Sequence, residues 1–552
     1  MTLAANAFRY WHTLRHLKPI QFYRRLWFKL YRPRVDAAAH APPLRERQGL
    51  WRRSIARTPS MLGPMKFRFL NHEHNLPVQG GWNDAALEKL WLYNLHYFDD
   101  LNAADADLRR AWHQNLLLRW IAENPPAEGN AWEPYPTSLR IVNWSKWLLA
   151  GHVPPHGAMQ SLANQARWLN QRIEWHLLGN HLFANAKALV FAGLLFDGIE
   201  ARRWLKRGLH IIARELPEQI LPDGGNFERS PMYHSIFLED LLDLINIANV
   251  WPGLVENAPI AKWHDSAQRM LSWLDSMTHP DGQIALFNDA AFGIAPTTGV
   301  LRDYARSLGV VATSVPRNEA LDLRHWEDSG YVRLYSGSKA VAFLDVASVG
   351  PDYLPGHAHA DTLSFELSVF GQRVVVNGGT SRYGLGPERL RERSTAAKST
   401  VEVAGQSSSE VWGGFRVARR AYPFDLQVRR ERDRLCVACS HDGYTRCCGS
   451  PVHRREWVME ADNLLVKDSL SSRKLSAVAR YILHPACLVS ALGEHAWQLT
   501  LHSGQTIAVK VLGGRPRIEP ARYAPEFGKV FMTQCLAVEL TADGAQTQWF
   551  WN

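Results

Sequence analysis

The chain has 552 residues, of which 46% are apolar and 21% charged. A chain of this length is too long to fold around a single hydrophobic core and should form more than one domain. Its composition is typical of folded proteins. A formal net charge of +10 suggests a polyanionic partner such as nucleic acid, an anionic membrane or an acidic polysaccharide. Six cysteines do not indicate a disulfide framework, and no uninterrupted apolar run of about 18 residues predicts a transmembrane helix.

The N-terminal segment is basic and aromatic. Residues 8–34 contain eight Lys and Arg, and the first acidic residue of the chain is Asp36. A helix on a membrane surface is one interpretation. One or two helices packed on the main domain is the other, which Pro19 favours because it divides the stretch. Residues 36–65 are rich in Pro, Ala and Arg and predict a loose connection, so we treat 1–65 as one N-terminal segment.

The first residues lack the apolar core of a signal peptide. We therefore expect a cytoplasmic protein, with a periplasmic or membrane-associated location as the alternative.

Residues 66–320 are predicted to form a helical domain. Apolar residues recur at helical spacing between short loops that contain Pro or Gly. Paired helices of this kind predict an α/α toroid, an incomplete helical barrel. The predicted helices are 84–102, 104–122, 138–151, 156–177, 180–196, 200–216, 231–250 and 261–278.

The period of the apolar pattern changes from 3.6 to 2 near Leu321. Strand-like runs at 330–335, 339–346, 362–369, 372–377, 464–468 and 506–511 predict that residues 321–552 form an antiparallel β-sandwich domain. The fold class is therefore a multidomain chain with an α/α toroid followed by a β-sandwich.

Two predicted helix starts carry polar groups that can exchange protons or bind anions. Ser230 is typical of an N-cap and Pro231 of a first helical residue, which places Tyr233 in the first turn. Asn180 and His181 follow Gly179 at another helix start. A tyrosine at such a position is more often a packing residue, and an asparagine is more often only a cap. Together the two starts suggest a pocket for an anion.

The stretch Gly356-His357-Ala-His359-Ala-Asp361 leads into a predicted strand. Residues at i and i+2 share a face of a strand, so the two histidines and Asp361 are expected to project together. They are interpreted as metal ligands, as a general base with its helper, or as surface residues. A basic run follows, which is interpreted as the lining of a groove for a polyanion or as a solvated face. It comprises Arg382, Arg389, Arg391, Arg393, Lys398, Arg416, Arg419 and Arg420.

Several long motifs resemble the heparinase II/III-like family of polysaccharide lyases. They are Leu90-Trp-Leu-Tyr-Asn-Leu-His-Tyr-Phe98, Trp132-Glu-Pro-Tyr-Pro-Thr-Ser-Leu-Arg140, Gly179-Asn-His-Leu182, Phe227-Glu-Arg-Ser-Pro-Met-Tyr-His234 and Gly356-His-Ala-His-Ala-Asp-Thr-Leu-Ser-Phe365. The resemblance implies a toroid and β-sandwich with a cleft between them. It also implies β-elimination on a uronate-containing, glycosaminoglycan-like polymer, here an acidic exopolysaccharide.

The resemblance also implies roles for individual residues. Asn180 and His181 would neutralise the uronate carboxylate. Tyr233 would take the C5 proton, protonate the leaving oxygen, or do both. His357 would be the second acid or base, or would hold Tyr233 as a phenolate. The expected substrate-binding residues are Trp132, Tyr135, Arg140, Arg229 and Glu228, although Tyr135 and Arg140 are equally compatible with buried structural roles.

The chain departs from the zinc-binding pattern of the family. His359 matches one ligand, but Asn377 stands in place of an aspartate and Lys398 in place of a histidine. We therefore expect no cofactor, with His359 the sole weak metal candidate, and with Lys398 holding nearby oxygen atoms by charge and hydrogen bonds in place of a cation.

Two other functions compete with the lyase. One is a glycoside hydrolase that uses carboxylates among Glu133, Asp223 and Glu228. The other is a polysaccharide-binding or assembly protein without turnover. Nucleic acid is not an expected partner, because no recognised motif accompanies the charge.

Overall fold

The computed structural model describes residues 3–36, 39–313, 320–337, 339–472 and 474–551. The helices within these ranges are α1 Leu3–Leu14, α2 Pro19–Leu30, α3 Lys89–Tyr97, α4 Arg110–Glu123, α5 Pro134–Leu149, α6 Ala158–Gln171, α7 Gly179–Leu195, α8 Ile199–Gln219, α9 Pro231–Val250, α10 Asn257–Ser276, α11 Thr298–Ser307 and α12 Pro387–Arg393. Short 3₁₀ helices cover Asp99–Asn102, Ala106–Arg109, Asn130–Trp132 and Thr395–Ala397.

Helix α7 lies at the centre of the helical domain. It packs against α5, α6, α8 and α9, and its side chains are buried from Leu182 to Leu195. Glycines allow α7 and α8 to approach closely: a Cβ on Gly193 would lie 2.5 Å from the Leu205 nitrogen, and one on Gly208 would lie 2.7 Å from the Ala186 oxygen. A helix that is apolar on most of its sides is typical of such an enclosed position, and its buried Lys187 pairs with Asp240 and Asp243.

Three predicted helices are shorter than expected, and the segment 156–177 contains only α6, Ala158–Gln171. The segment 84–102 contains α3, which ends at Phe98 because this residue has a left-handed φ of 62°. In the segment 104–122, α4 begins only at Arg110, after Asp105 has adopted a φ of 53°. Apolar spacing alone does not reveal these local reversals of the backbone.

The strands are β1 Met61–Gly63, β2 Lys66–Phe69, β3 His72–Asn75, β4 Leu321–Trp326, β5 Tyr331–Ser336, β6 Ala340–Asp345, β7 Phe365–Val369, β8 Gln372–Val376, β9 Val401–Val403, β10 Val411–Trp412, β11 Arg416–Val417, β12 Pro423–Arg430, β13 Leu435–His441, β14 His453–Met459, β15 Asn463–Leu470, β16 Ala477–Leu483, β17 Leu488–Gly493, β18 Ala496–Thr500, β19 Thr506–Gly513, β20 Arg515–Glu526, β21 Lys529–Glu539 and β22 Ala545–Trp551.

Two large antiparallel sheets form the C-terminal half. One has the order β20-β21-β16-β8-β7-β6-β5-β4, with β9 also paired to β16, and the other has the order β12-β13-β14-β15-β22-β19-β18-β17. They face each other across a shared core that includes Phe365, Trp457, Tyr481 and Trp549. The predicted β-sandwich is confirmed.

The first of these sheets lies between the second sheet and the helices. Strands β6 and β7 are buried along their whole length, because Tyr331, Val341 and Phe343 on the opposite face join the helical core. The toroid and the sandwich therefore share one continuous hydrophobic interface.

Helices α1 and α2 pack on the outside of the two domains. The Thr13 hydroxyl accepts a 3.1 Å hydrogen bond from the Trp412 ring nitrogen, and Arg172 lies 3.5 Å from the Phe28 ring centroid. The interpretation of helices packed on the main body is therefore correct. Within the described ranges, no helix is both long and apolar enough to cross a membrane.

Candidate active site

A cleft of about 1390 Å³ opens between the toroid and the sandwich. Its walls include residues from α5, α7, α9 and the loops that precede β7 and α12. The structure brings together Tyr135, Asn180, His181, Tyr233 and His357 on this cleft, together with Glu228. These side chains come from positions up to 222 residues apart in the sequence, 135 to 357.

Tyr233 is fixed by its place in the first turn of α9. Ser230 is the N-cap and accepts a hydrogen bond from the Tyr233 backbone nitrogen at 3.3 Å, as the sequence predicts. The Tyr233 ring stacks on the His357 ring with 3.8 Å between centroids, and its hydroxyl lies 2.9 Å from the Tyr383 hydroxyl. Burial, with a contribution from Tyr383, raises the pKa of Tyr233 well above its ordinary value. This shift favours the neutral phenol in the free protein over the alternative in which His357 holds Tyr233 as a phenolate.

His357 is oriented by Glu228. The imidazole Nδ1 hydrogen-bonds to the Glu228 carboxylate, and a carboxylate at Nδ1 favours the tautomer with hydrogen on that nitrogen. Nε2 is then left as the proton acceptor. Arg229, with a left-handed φ of 57°, turns the chain between Glu228 and the N-cap of α9. Glu228 is thus a neighbour of the histidine as well as a residue of the cleft.

Asn180 and His181 are presented at the start of α7 by two consecutive left-handed residues. Leu178 has φ 64° and Gly179 φ 55°, and a Cβ on Gly179 would lie 2.4 Å from a Leu354 methyl carbon. Glycine is therefore needed at this turn. Both following side chains are only half-buried, which leaves them accessible to a ligand.

The cationic form of His181 is favoured by a neighbouring carboxylate. Burial alone would lower its pKa, but the Glu174 carboxylate, 3.2 Å from Nδ1, outweighs burial and raises it. Tyr135 packs on the ring at 4.4 Å between centroids, and the Asn180 amide acts on its hydroxyl. A positively polarised imidazole beside an amide is a suitable pair for a carboxylate.

Asp289 is buried next to the site and contacts both the segment of His357 and the N-cap of α9. Its backbone nitrogen donates to the His357 oxygen at 2.9 Å, and its backbone oxygen accepts from the Ser230 hydroxyl at 2.5 Å. Its carboxylate binds Arg389 in a bidentate pair and His359 Nε2 at 2.7 Å. Burial alone would raise the pKa of Asp289, but Arg389 and His359 together lower it strongly.

Three of the expected substrate-binding residues lie outside the cleft. Trp132 is 3% exposed and its ring nitrogen donates to the Asn124 oxygen, so it belongs to the helical core. Arg140 is fully buried and donates to Gln165 at 2.9 Å. Arg229 donates to the Ser348 oxygen at 2.6 Å, a contact between the toroid and the sandwich. The prediction that these three residues line the cleft is wrong, because their N–H groups donate hydrogen bonds to backbone and amide oxygens of the protein itself.

The expected groove lined by the basic run is also wrong. Arg389, Arg393 and Lys398 are fully buried, and Arg420 is 6% exposed. Arg391 pairs with Glu388, Arg419 with Glu410, and Arg416 lies over Trp412. Within the described residues, Arg382 is the one member of the run that reaches the cleft, where it pairs with Glu88.

His357, His359 and Asp361 do not project together. The strand begins only at Phe365, and the preceding turns send His357 to the cleft and His359 into the interior. Asp361 accepts a hydrogen bond from the Asn288 nitrogen at 2.7 Å. The predicted period of 2 does not apply to this irregular segment.

The residues around His359 do not fit a zinc ion. Both polar atoms of the Asn377 amide are used, one by Ser364 at 3.1 Å and one by the Ser399 nitrogen at 3.1 Å. Lys398 brings an amine rather than an imidazole, and its Nζ has no hydrogen-bond partner among the described residues. The hydrogen bonds expected from Lys398 are therefore absent there, although Asp361 and Asp289 act on it electrostatically. No group of three or more metal-binding side chains occurs in the described part of the chain.

The sequence matches two family descriptions in succession: "Heparinase II/III N-terminus" over residues 93–310 and "Heparinase II/III-like, C-terminal" over residues 318–550. The chain belongs to the heparinase II/III-like family. The resemblance inferred from the motifs is confirmed, and the two matches together cover most of the chain.

Two family relatives are heparin-sulfate lyases. That of Bacteroides stercoris is 33% identical over 239 residues, 40% of this chain and 34% of the relative. That of Pedobacter heparinus is 25% identical over 246 residues, 42% of this chain and 36% of the relative. The chain thus spans about a third of the length of these curated relatives. The crystal structure of heparinase III superposes with a TM-score of 0.70 at 17% identity, covering 99% of this chain and 89% of that one, which establishes the shared fold.

Two residues of the site are missed by sequence reasoning. Tyr383 follows Arg382, which is notable in the sequence only as part of the basic run, and Asp289 lies in a turn between α10 and α11. Neither has a local motif that identifies it. Their partners are distant in sequence, 150 residues for Tyr383 and Tyr233.

Proposed function

We propose that this protein is a polysaccharide lyase that cleaves a uronate-containing acidic polysaccharide by β-elimination. The observation that carries the proposal is the convergence of the Tyr233–His357 stack with Asn180 and His181 on one cleft. Each catalytic histidine has its own carboxylate, Glu228 or Glu174. Membership of the heparinase II/III-like family supports the same reaction.

Asn180 and His181 bind the uronate carboxylate in this mechanism. An amide donor and an imidazole with a raised pKa reduce the negative charge on that group. The C5 proton then becomes more acidic, because the electrons left on C5 can spread into the neutralised carboxylate.

His357 and Tyr233 divide the proton transfers. Nε2 of His357 is the acceptor of its ring and takes the C5 proton as general base. The C4–O4 bond breaks as the C4=C5 double bond forms, and the neutral Tyr233 hydroxyl donates its proton to the leaving O4. Transfer of the proton from His357 to Tyr233, through solvent, restores the starting state. Tyr383 hydrogen-bonds to the Tyr233 hydroxyl and holds it in place.

The charges of the cleft favour a substrate with isolated carboxylates over a densely sulfated one. Six cationic side chains line it, Arg57, Arg68, Lys89, Lys146, Lys187 and Arg382, against six anionic ones, Glu88, Asp99, Glu228, Glu239, Asp240 and Glu526. All six of these cations have a carboxylate partner. Lys146 and Lys187 contact Asp243 at 2.5 and 2.6 Å, and the other pairs are Arg57 with Glu239, Arg68 with Glu73, Lys89 with Glu133 and Arg382 with Glu88. An exopolysaccharide with spaced uronates is compatible with this balance.

The carboxylates needed for hydrolysis are committed to other contacts. Asp223 accepts from the Ser329 nitrogen at 2.7 Å in a turn, and Glu133 pairs with Tyr93 and with Lys89. Glu228 is bonded to His357. None of these three is placed as an unpartnered acid opposite a base, so their contacts support elimination over hydrolysis.

Digestion of a panel of polysaccharides tests the proposal. The panel contains unsulfated uronate exopolysaccharides, heparan sulfate and a neutral glucan, and the products are analysed by mass and ultraviolet absorbance. We expect products from the sparsely charged uronate polymers that are one water lighter than hydrolytic products and carry an unsaturated end. Products of hydrolytic mass, or cleavage of the neutral glucan alone, would overturn the lyase assignment.

A further inference from the structure

Helices α1 and α2 expose an unusual amount of apolar surface for segments that are docked on a folded body. Phe8, Trp11, Phe22, Leu26, Trp27 and Leu30 are all exposed. Trp11 is 64%, Trp27 53% and Leu30 74% accessible. Large apolar side chains on a helix normally face the protein interior, so this arrangement indicates a second surface to which the helices bind.

The inner face of α2 is already occupied. Gln21 is buried and donates to the Tyr353 oxygen at 3.2 Å, and Phe28 packs on His176 with 4.3 Å between centroids. Arg172 also donates to the Phe28 oxygen at 2.7 Å. Since the polar contacts and Phe28 secure the helix, its exposed side is a fixed outer face.

The outer face of α2 is an apolar stripe beside a row of cations. Phe22, Leu26 and Leu30 follow each other at spacings of four, which places them along one side of the helix. Arg25 and Lys29 lie three residues after Phe22 and Leu26, on the flank of that side, and both are exposed. Long basic side chains beside exposed aromatic and aliphatic groups are typical of a helix in a membrane interface.

Helix α1 has the same two-sided form. Thr13 is buried against Trp412, and Arg9 pairs with Glu410 at 3.2 Å, so these side chains face the sandwich. Trp11 and Leu14 are exposed and lie three residues apart, on a face that Thr13 does not share. Both helices thus present apolar groups outward from a docked inner face.

We propose that α1 and α2 bind the protein to the surface of an anionic lipid membrane, with the helices lying in the interface. Charge complementarity selects this partner. The segment carries eight Lys and Arg before its first acidic residue, Asp36. Arg9 and Lys18 pair with Glu410 and Glu218 of the main body, and exposed cations such as Arg25 and Lys29 are attracted to anionic headgroups. Apolar side chains alone would also fit a second copy of the chain, but a self-associating face would place these cations opposite each other. The proposal is independent of the reaction in the cleft.

Vesicle co-sedimentation of the full chain tests the proposal. The probes are vesicles of phosphatidylcholine alone and of phosphatidylcholine with phosphatidylglycerol, at low and high salt. We expect binding to the anionic vesicles, at least tenfold weaker binding to the neutral ones, and weaker binding to the anionic vesicles in high salt.

Two variants separate the apolar and ionic contributions. Leu26→Glu with Leu30→Glu removes the apolar stripe, and Arg25→Glu with Lys29→Glu reverses the cations. Each should reduce binding to anionic vesicles at least tenfold. Leu488→Glu with Leu512→Glu is the matched control, because these leucines are 69% and 59% exposed on the sandwich, and it should bind normally.

Sedimentation velocity without lipid tests whether a second copy of the chain, rather than a membrane, covers the exposed apolar face of α1 and α2. A dimer that the Leu26→Glu, Leu30→Glu variant dissociates, with no binding to vesicles, would overturn the proposal in favour of a second copy. Equal binding to neutral and anionic vesicles would also overturn it. Cleavage of a soluble polysaccharide should be unchanged in both helix variants, which separates membrane binding from catalysis.

Discussion

Replacement of Tyr233 by phenylalanine removes one oxygen atom from the proposed site and leaves most of its structure in place. The ring that stacks on His357 at 3.8 Å is retained. The lost contact is a hydrogen bond between two neutral hydroxyls, which contributes about 1 kcal/mol to the free energy of unfolding. The variant should therefore fold, with a small loss of stability.

The expected loss of activity is much larger than the loss of stability. Transfer of a proton by a positioned side chain accelerates a reaction by about 10² to 10⁴, so we expect kcat to fall by at least about a hundredfold. Appearance of the unsaturated product end, followed by ultraviolet absorbance, measures this effect. Near-normal turnover by the variant would refute the assignment of Tyr233 as the proton donor.

Tyr383→Phe is the matched control for this experiment. It removes the other half of the same 2.9 Å hydrogen bond while keeping the Tyr233 hydroxyl. If Tyr383 only positions Tyr233, this variant should lose less than about tenfold in kcat, the factor that corresponds to about 1.4 kcal/mol. A loss as large as that of Tyr233→Phe would assign a proton-transfer role to Tyr383 as well.

Four further results are expected. Asn180→Ala and chemical reduction of the substrate uronates should each abolish cleavage, and normal cleavage of the reduced polymer would contradict carboxylate binding by this residue. Glu228→Gln should lower kcat by about tenfold or more with little change in KM, because a glutamine does not enforce the His357 tautomer with hydrogen on Nδ1. An unchanged kcat and an unchanged pH–rate profile would contradict this role of Glu228. The purified chain should hold no stoichiometric zinc by elemental analysis, since Lys398 occupies a ligand position; one zinc per chain, lost with stability on chelation, would contradict this. Asp468 should contribute about 2 kcal/mol to the free energy of unfolding above pH about 4, because Arg455 and His453 overcome burial and lower its pKa to about 2. This contribution should be lost as the pH falls towards 2. Acid titration of the melting temperature for the protein and for Asp468→Asn measures the effect, and identical pH profiles would contradict it.

The element types were predictable because they depend on local patterns. The change of apolar period near Leu321 separates the helices from the strands, and Ser230-Pro231 marks the start of α9 to the residue. Helix ends were less predictable: Phe98 and Asp105 are left-handed although neither is glycine. Such conformations depend on tertiary packing, which a single sequence does not display.

Site residues were predictable from the sequence where they lie at the start of a helix. They were not predictable where their position depends on a contact with a residue far away in the sequence. Asn180, His181 and Tyr233 lie beside recognisable turns and caps. The burial of Arg389 follows from a pairing with Asp289, 100 residues away. The sequence shows the charge of each arginine but not the carboxylate that neutralises it. The prediction of a basic groove from the number of cations was therefore wrong.

The proposed catalytic groups belong to different domains, and their arrangement therefore depends on the interface between the domains. Tyr233 begins a toroid helix, whereas His357 belongs to the loop that leads into β7 of the sandwich. Asp289 joins them, since its backbone binds the N-cap of α9 on one side and the His357 oxygen on the other. Its carboxylate is held in turn by Arg389, from the helix α12 inserted between strands. A disturbance of this buried pair would separate two stacked rings without altering either of them. Arg389 of the basic run thus contributes to the proposed chemistry by holding the two domains in register, and not by contacting the polysaccharide.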